Sequence, residues 1–334
     1  MGAAASRSST RSGRADGWGE LPPPLSKIAA LDQQILNAIF IGSIYALFAV
    51  GYTLVFGVLD ILNLAHSAVF MIGAAVTYSL VINHGQSFWL ACIIGIGASG
   101  VMGLVIEHVC LRPLRRRRAP PIAALISTIG LALIIVAVIE QGAPGTLFAW
   151  LWVDGPNSVA FPSGTIPNPT WHVGDLTLEA SKVAIIPISI ALMLVLGYVI
   201  RYTQVGRGLR AVAENPRAAR LMGLDVDRMI SLTLVISSAL GGLAGILFGV
   251  ALGDISPYIG RDNVEVRGLA VIVLGGMGSV PGAVVGGYLL GIIEVLALVV
   301  IGSNARAGVA FAALFLMLVL RPQGLFGAQL RERI

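Results

Sequence analysis

Long apolar runs, separated by short charged or glycine-rich joints, constrain this chain more than any other feature. Such runs fall near 35–56, 60–82, 88–111, 122–140, 183–200, 230–252, 264–276, 282–301 and 305–320. A helix needs about 20 apolar residues to cross a bilayer. The run at 264–276 is short for that and suits a re-entrant piece, so the expected count is eight or nine. The chain is 56% hydrophobic and only 12% charged, too little charge to clothe a water-facing surface. The expected fold is therefore all-α, a polytopic transmembrane helix bundle facing lipid and itself.

Arginine sets the expected orientation. Arg112 and Arg115 to Arg118 crowd one loop; Arg201, Arg207, Arg210, Arg217, Arg220 and Arg228 crowd another; Arg321, Arg331 and Arg333 follow the last run. Positive loops stay in the cytoplasm. The segment 141–182 lies between the first two loops, one crossing from each, carries Asp154, Asp175 and Glu179, and is expected outside. Its Trp150, Trp152 and Trp171 suit the membrane interface. The net charge of +5 is thus a matter of topology, not of nucleic-acid binding. Residues 1–30 are rich in Ser, Arg, Gly, Ala and Pro and read as a disordered extension ahead of a membrane domain at 31–328. Cys92 and Cys110, about 27 Å apart along a helix, cannot pair.

Several chemistries are excluded. A P-loop ends in Lys-Ser or Lys-Thr, but the only lysines, Lys27 and Lys182, precede Ile28 and Val183. No two of His66, His84, His108 and His172 stand four apart, so no HExxH zinc site exists, and no GxSxG elbow is present. No catalytic residue, metal site or cofactor is expected.

The most informative region is the arginine-rich loop 201–230. Asn215 caps and Pro216 fits the first helical position, while Gly223 stops a helix. A helix at 216–222 follows, setting Arg217 and Arg220 against Leu221 and Met222. Too short to be stable alone, it is expected to dock on a partner. Ala218, Ala219 and Gly223 keep the AA-xxx-G spacing of the importer coupling motif, with Arg217 where that motif has Glu. A plain basic loop is the competing reading.

Glycine supplies two further expectations. Ser237, Gly241, Gly245, Gly249 and Gly253 recur at every fourth position, a ridge that lets a neighbouring backbone approach. Gly282 with Gly286, and Gly287 with Gly291, repeat the device. Glycine-punctuated breaks at Gly51 to His66 and at Gly275 to Gly282 echo each other, as paired breaks do along a transport path. Asn63, His66, Gly275 and Gly276 are the path candidates. Among the other polar groups in apolar runs, Glu107 and His108, next to Arg112, are expected to form an interfacial ion pair with it, Glu140 to end its helix, and Glu294 to be the best carboxylate for ion coupling.

Four stretches carry a resemblance: GSIYALFAVGYTLVFGVLDILNLAH from Gly42, RAVAENPRAARLMGLDVDR from Arg210, LGGMGSVPGAVVGGYLLG from Leu274 and LRPQGLFG from Leu320. In this order, over about 31–328, the chain resembles branched-chain amino acid permeases of ATP-driven (ABC) importers, the H-type subunit in particular. The resemblance implies a bacterial inner-membrane complex: this chain, a second permease subunit (M-type or identical), two ATP-binding subunits and a periplasmic amino-acid-binding protein. It implies Leu, Ile or Val as cargo, a non-enzymatic role for this chain, and a coupling role for 216–222. Similar permeases carry urea, amides and other small solutes; an ion-coupled secondary transporter and an intramembrane enzyme are the alternatives of other classes.

Overall fold

The computed structural model describes residues 23–141, 158–162, 165, 168–173, 176–302 and 305–327. The expected disordered extension therefore falls partly outside the described residues, as does much of the 141–182 loop, including Trp150, Trp152 and Asp154. Within the stretch expected to be disordered, however, helix α1 already begins at Pro23 and runs to Leu59.

The chain is mostly helical. After α1 come α2 (His66–Ile82) and α3 (Phe88–Ile106). A π-helical turn at Glu107–Leu111 joins α3 to α4 (Arg112–Arg116), and α5 (Pro121–Glu140) follows. Then come α6 (Ala180–Tyr202), α7 (Gln204–Glu214), α8 (Pro216–Leu221) and α9 (Val226–Leu252). A second π-helical turn, Gly260–Glu265, leads into α10 (Val266–Gly275), and α11 (Val280–Val300) and α12 (Ala305–Leu320) complete the bundle. Among the described residues, six helices are long and apolar enough to cross a membrane, those built on α1, α3–α4, α5, α6, α9 and α11. Three shorter apolar helices, α2, α10 and α12, accompany them.

Burial orders the bundle. The most apolar window of α1 is 89% buried, against 28% for α5 and 22% for α6. So α1 is the axis, packed on α11, α9, α6 and α10, while α5 and α6 turn apolar surface outward. An apolar helix can show such a surface only to lipid or to another subunit.

One departure from an all-α fold is a small antiparallel hairpin, β1 (Thr170–Val173) with β2 (Leu176–Glu179), in register Thr170 to Glu179. Val159 and Ile255 exchange backbone hydrogen bonds of 2.9 and 2.8 Å, tying the connection between α5 and α6 to the end of α9.

Glycine sets the closest approaches. Gly241, Gly245 and Gly249 of α9 lie against His66, Phe70 and Ala74 of α2, so the every-fourth spacing is matched residue for residue by a parallel neighbour. Gly253 stands outside this ridge: at φ +64° it ends α9 in the left-handed conformation, for which glycine is suited. On α11, Gly282 and Gly286 face α10, while Gly287 and Gly291 face Ala46 and Gly42 of α1.

Candidate functional site

At the arginine-rich end of the bundle, α7 and α8 form a bent helical pair. The bend follows from capping. The Asn215 side chain, on extended backbone, accepts hydrogen bonds from the Arg217 and Ala218 amides, each 3.0 Å. Pro216 fills the first helical position, where no donor is needed. The helix ends at Leu221, and Gly223 at φ +83° turns the chain so that the Leu224 amide reaches Ala219 O at 3.1 Å. Asp225 then caps α9 through the Arg228 amide.

This short helix has one foot in the bundle and one face in solvent. Ala219 is buried in an apolar cluster with Val212, Val226 and Ile230. The same cluster contains Val55, Ala65 and Val69, which flank the junction of α1 and α2. On the other side Leu221 is 89% exposed and Met222 84%, flanked by exposed Arg217 and Arg220. Two neighbouring large apolar side chains held this far out of the fold make no contribution to its stability.

Beside them, Arg115 makes a double clasp. Its Nη2 donates to Glu107 Oε1 and to Asp227 Oδ1, both at 2.8 Å, joining α4, the first π-helical turn and α9. The partner of Glu107 is thus Arg115, not the nearer Arg112, because the π-helical turn alters which side chains share a face. Arg112 instead meets His108 Nε2 at 3.0 Å and lies 3.7 Å from Asp227.

Deeper in the bundle, residues 60–65 interrupt the helical path between α1 and α2. Asp60, at φ +56°, turns the chain out of α1. His66 then opens α2, fully buried beneath the rings of Phe48 and Tyr52, with centroids at 4.8 and 5.4 Å. Its Nδ1 is 3.5 Å from Ser237 Oγ, too long for a strong bond, and that hydroxyl donates to Gly51 O at 2.7 Å. Buried Tyr52 Oη, Thr53 Oγ1, both Asn63 amide atoms and His66 Nε2 have no hydrogen-bond partner among the described residues. Buried polar groups are normally satisfied, so this concentration marks the junction as unusual.

The two breaks meet, but at glycines other than the path candidates. Gly57, within the first break, lies against Gly278 in the second. Gly275 and Gly276 face Gly282 and the 324–327 tail, and the Leu325 and Phe326 amides bond Leu274 O and Gly275 O at 2.9 Å. His66 sits against Gly51 and Gly241 instead.

Two polar groups were missed from sequence. Arg267 Nε donates to the wholly buried Glu294 Oε1 at 2.6 Å, and Tyr45 Oη donates to Glu294 Oε2 at 2.8 Å. One carboxylate thereby joins α1, α10 and α11. The signal was Arg267 itself, a lone cation in the apolar run 264–276. Among the described residues no group of His, Cys, Asp and Glu is arranged to hold a metal ion.

Comparison with known proteins gives a consistent picture. A family model described as branched-chain amino acid transport system / permease component matches residues 34–320. The high-affinity branched-chain amino acid transport system permease protein LivH of Salmonella typhimurium is 35% identical over 315 residues, 90% of this chain and 97% of that protein. LivH of Escherichia coli K12 matches to the same extent. BraD of Pseudomonas aeruginosa, with the same description, is 32% identical over 318 residues, again 90% and 97%.

Proposed function

Because this chain belongs to the family of branched-chain amino acid transport permease components, we propose that it forms one half of the conduit of an ATP-driven importer for leucine, isoleucine or valine. Its setting is a bacterial inner membrane. A second permease subunit, M-type or identical, supplies the other half. Two separate ATP-binding subunits supply the energy, since this chain has no P-loop lysine. A periplasmic binding protein delivers the amino acid to the outer ends of the helices.

Arginine placement supports one topology. Both Arg228 and Arg321 belong on the cytoplasmic side, so an even number of crossings separates them. The helices between are α9, α10, α11 and α12. Short as it is, α10 then counts as a crossing, with the π-helical turn before it adding length. Nine crossings result.

The observation that carries the mechanism is the exposure of Leu221 and Met222 on a helix whose Ala219 is rooted in the bundle. Closure of the ATPase pair would push on the exposed side. The buried side shares its apolar cluster with Val55, Ala65 and Val69, so the push reaches the α1–α2 junction, where Asn63 and His66 lie. Interiors are close-packed and transmit displacement rather than absorbing it. An ion-coupled carrier is disfavoured, because its best carboxylate, Glu294, is already neutralised by Arg267.

The test is co-expression with the ATPase and binding protein, purification and reconstitution. The wild-type complex takes up leucine when supplied with ATP. Leu221→Asp or Met222→Asp should either release the ATPase or leave ATP hydrolysis without uptake. Wild-type rates of uptake in both variants would remove α8 from the mechanism.

A further inference from the structure

A cleft of about 240 Å³ opens between α2, α5 and the segment that precedes α10. It lies just below the roughly 300 Å³ at which clefts for drug-sized ligands begin, a size suited to a small solute. Its apolar lining includes Met71 from α2, and Ile129, Leu133 and Val136 from α5. Arg261, Glu265 and Ser67 supply its polar lining. Ser67 Oγ is 3.0 Å from Leu64 O and 3.2 Å from Glu265 Oε2, so its one proton serves either acceptor. Tyr52, whose buried hydroxyl has no partner among the described residues, is within electrostatic reach of Glu265.

Depth makes these charges informative. Ile129 and Leu133 are the ninth and thirteenth residues of the 20-residue span Pro121–Glu140, near the middle of the bilayer. Arg261 is exposed and Glu265 half-buried at the same cleft. Charged side chains at that depth cannot face hydrocarbon cheaply; they face a water-filled cavity or another protein surface. A helix break also lies alongside: α2 starts at His66, one residue before Ser67, and its first turn presents the positive end of the helix dipole. Discontinuous helices at the midplane are where transporters hold their substrates.

We propose that this cleft is a substrate site on the translocation path, binding the zwitterion of an aliphatic α-amino acid, with Arg261 receiving the carboxylate, Glu265 the ammonium group and the Met71–Ile129–Leu133–Val136 wall the branched side chain. This rests on the importer function proposed above. Charge complementarity selects the occupant. Among the described residues the cleft presents one cation and one anion, four residues apart, which suits a ligand with both signs and no net charge. Urea and amides present no charge to either. The aliphatic wall offers no partner for a polar side chain, so it rejects amino acids that must desolvate one.

Two measurements on the reconstituted complex test the site. In the first, Arg261→Gln and Glu265→Gln are each expected to lower ATP-driven leucine uptake at least about tenfold, the cost of one charge-assisted hydrogen bond. Stimulation of ATP hydrolysis by the binding protein should survive, because α8 is untouched. Arg261→Lys and Glu265→Asp should retain more uptake than the neutral variants. Uptake at the wild-type rate in both glutamine variants overturns the site.

The second measurement does not depend on how well those variants fold. A Leu133→Cys variant, at a position 53% exposed in this chain, is treated with a charged, membrane-impermeant thiol reagent and compared with the unaltered chain, whose Cys92 and Cys110 give the background. Labelling that leucine slows and lysine does not supports the site. Labelling of Leu133→Cys no greater than that background means that position 133 faces lipid or a dry interface, and overturns the site. If instead the wild-type complex takes up no leucine at all, the importer function falls first, a failure distinct from that of the cleft.

Discussion

Gly241 of α9 lies directly against the ring of His66: a Cβ at position 241 would come within 2.8 Å of Cε1 and 3.0 Å of Nε2. Contacts this short force something to move. The ring is held by Phe48 and Tyr52 on one side and Gly51 on another, so it has little room to yield. Gly241→Ala is therefore expected to push α9 from α2 and to cost about 1–3 kcal/mol, typical of overpacking a close-packed core. Thermal unfolding of the purified chain in detergent reads this directly. A melting temperature unchanged from wild type would mean the α2–α9 contact is looser than the geometry indicates. Gly97→Ala makes the control, since a Cβ there meets nothing within 4 Å.

Asn215 is the side chain that caps α8, and the helix has six residues. Losing an asparagine cap costs about 1 kcal/mol, and a helix this short has little else to hold its first turn. Asn215→Ala should weaken capture of the ATPase subunit by about fivefold, the equivalent of that energy. Asn215→Asp or Asn215→Ser keeps an acceptor and should bind nearly as wild type. Titration of solubilised permease with ATPase measures all three. Equal affinity for Asn215→Ala would show that α8 is folded by its partner and not by its cap.

These contrasts bear on what sequence reveals. The α8 ends were legible because capping is local: Asn215, Pro216 and Gly223 act on the next few backbone groups. The spacing of Gly241, Gly245 and Gly249 was legible too, but not that they meet His66, Phe70 and Ala74, which depends on how two distant helices approach. The Glu107 partner was misread because an α-helical spacing cannot foresee a π-helical turn. Arg267 went unnoticed although a single arginine in an apolar run calls for a partner. The β1–β2 hairpin had its own signal, Gly174-Asp175 between alternating stretches, which the surrounding membrane pattern overshadowed. Arg261 and Glu265 became informative only when folding set them in one cleft with α5.

The Tyr45–Glu294–Arg267 group is predicted to be a structural pin. Removing one member of a buried pair strands the other, at about 3–5 kcal/mol. Glu294→Gln should therefore lower thermal stability sharply. Replacing both members by apolar residues, Arg267→Met with Glu294→Leu, should recover most of the loss, since paired burial of charge is itself costly. A coupling carboxylate would behave otherwise, with ATP-driven uptake collapsing in a protonophore. Uptake in proteoliposomes that persists with the proton gradient dissipated keeps Glu294 in the structural role.

The Arg115 clasp has two arms of equal length in unequal surroundings, and salt should separate them. Glu107 is fully buried, whereas the Asp227 side chain is 30% exposed and that of Arg115 25%. A pair open to solvent is screened by ions and contributes below about 1 kcal/mol. Asp227→Asn should thus cost little, and its effect should fade near ~1 M salt. Glu107→Gln leaves Arg115 facing a neutral amide on its buried arm, so its cost should be larger and nearly independent of salt. The Asp227 arm ties α4 to α9, on which the α8 root also packs, so loosening it should also raise ATP hydrolysis per leucine imported. Melting temperatures of the two variants at low and high salt, with the hydrolysis-to-uptake ratio, check this. Equal salt dependence for both would mean that water reaches Glu107 and that the clasp is a surface feature.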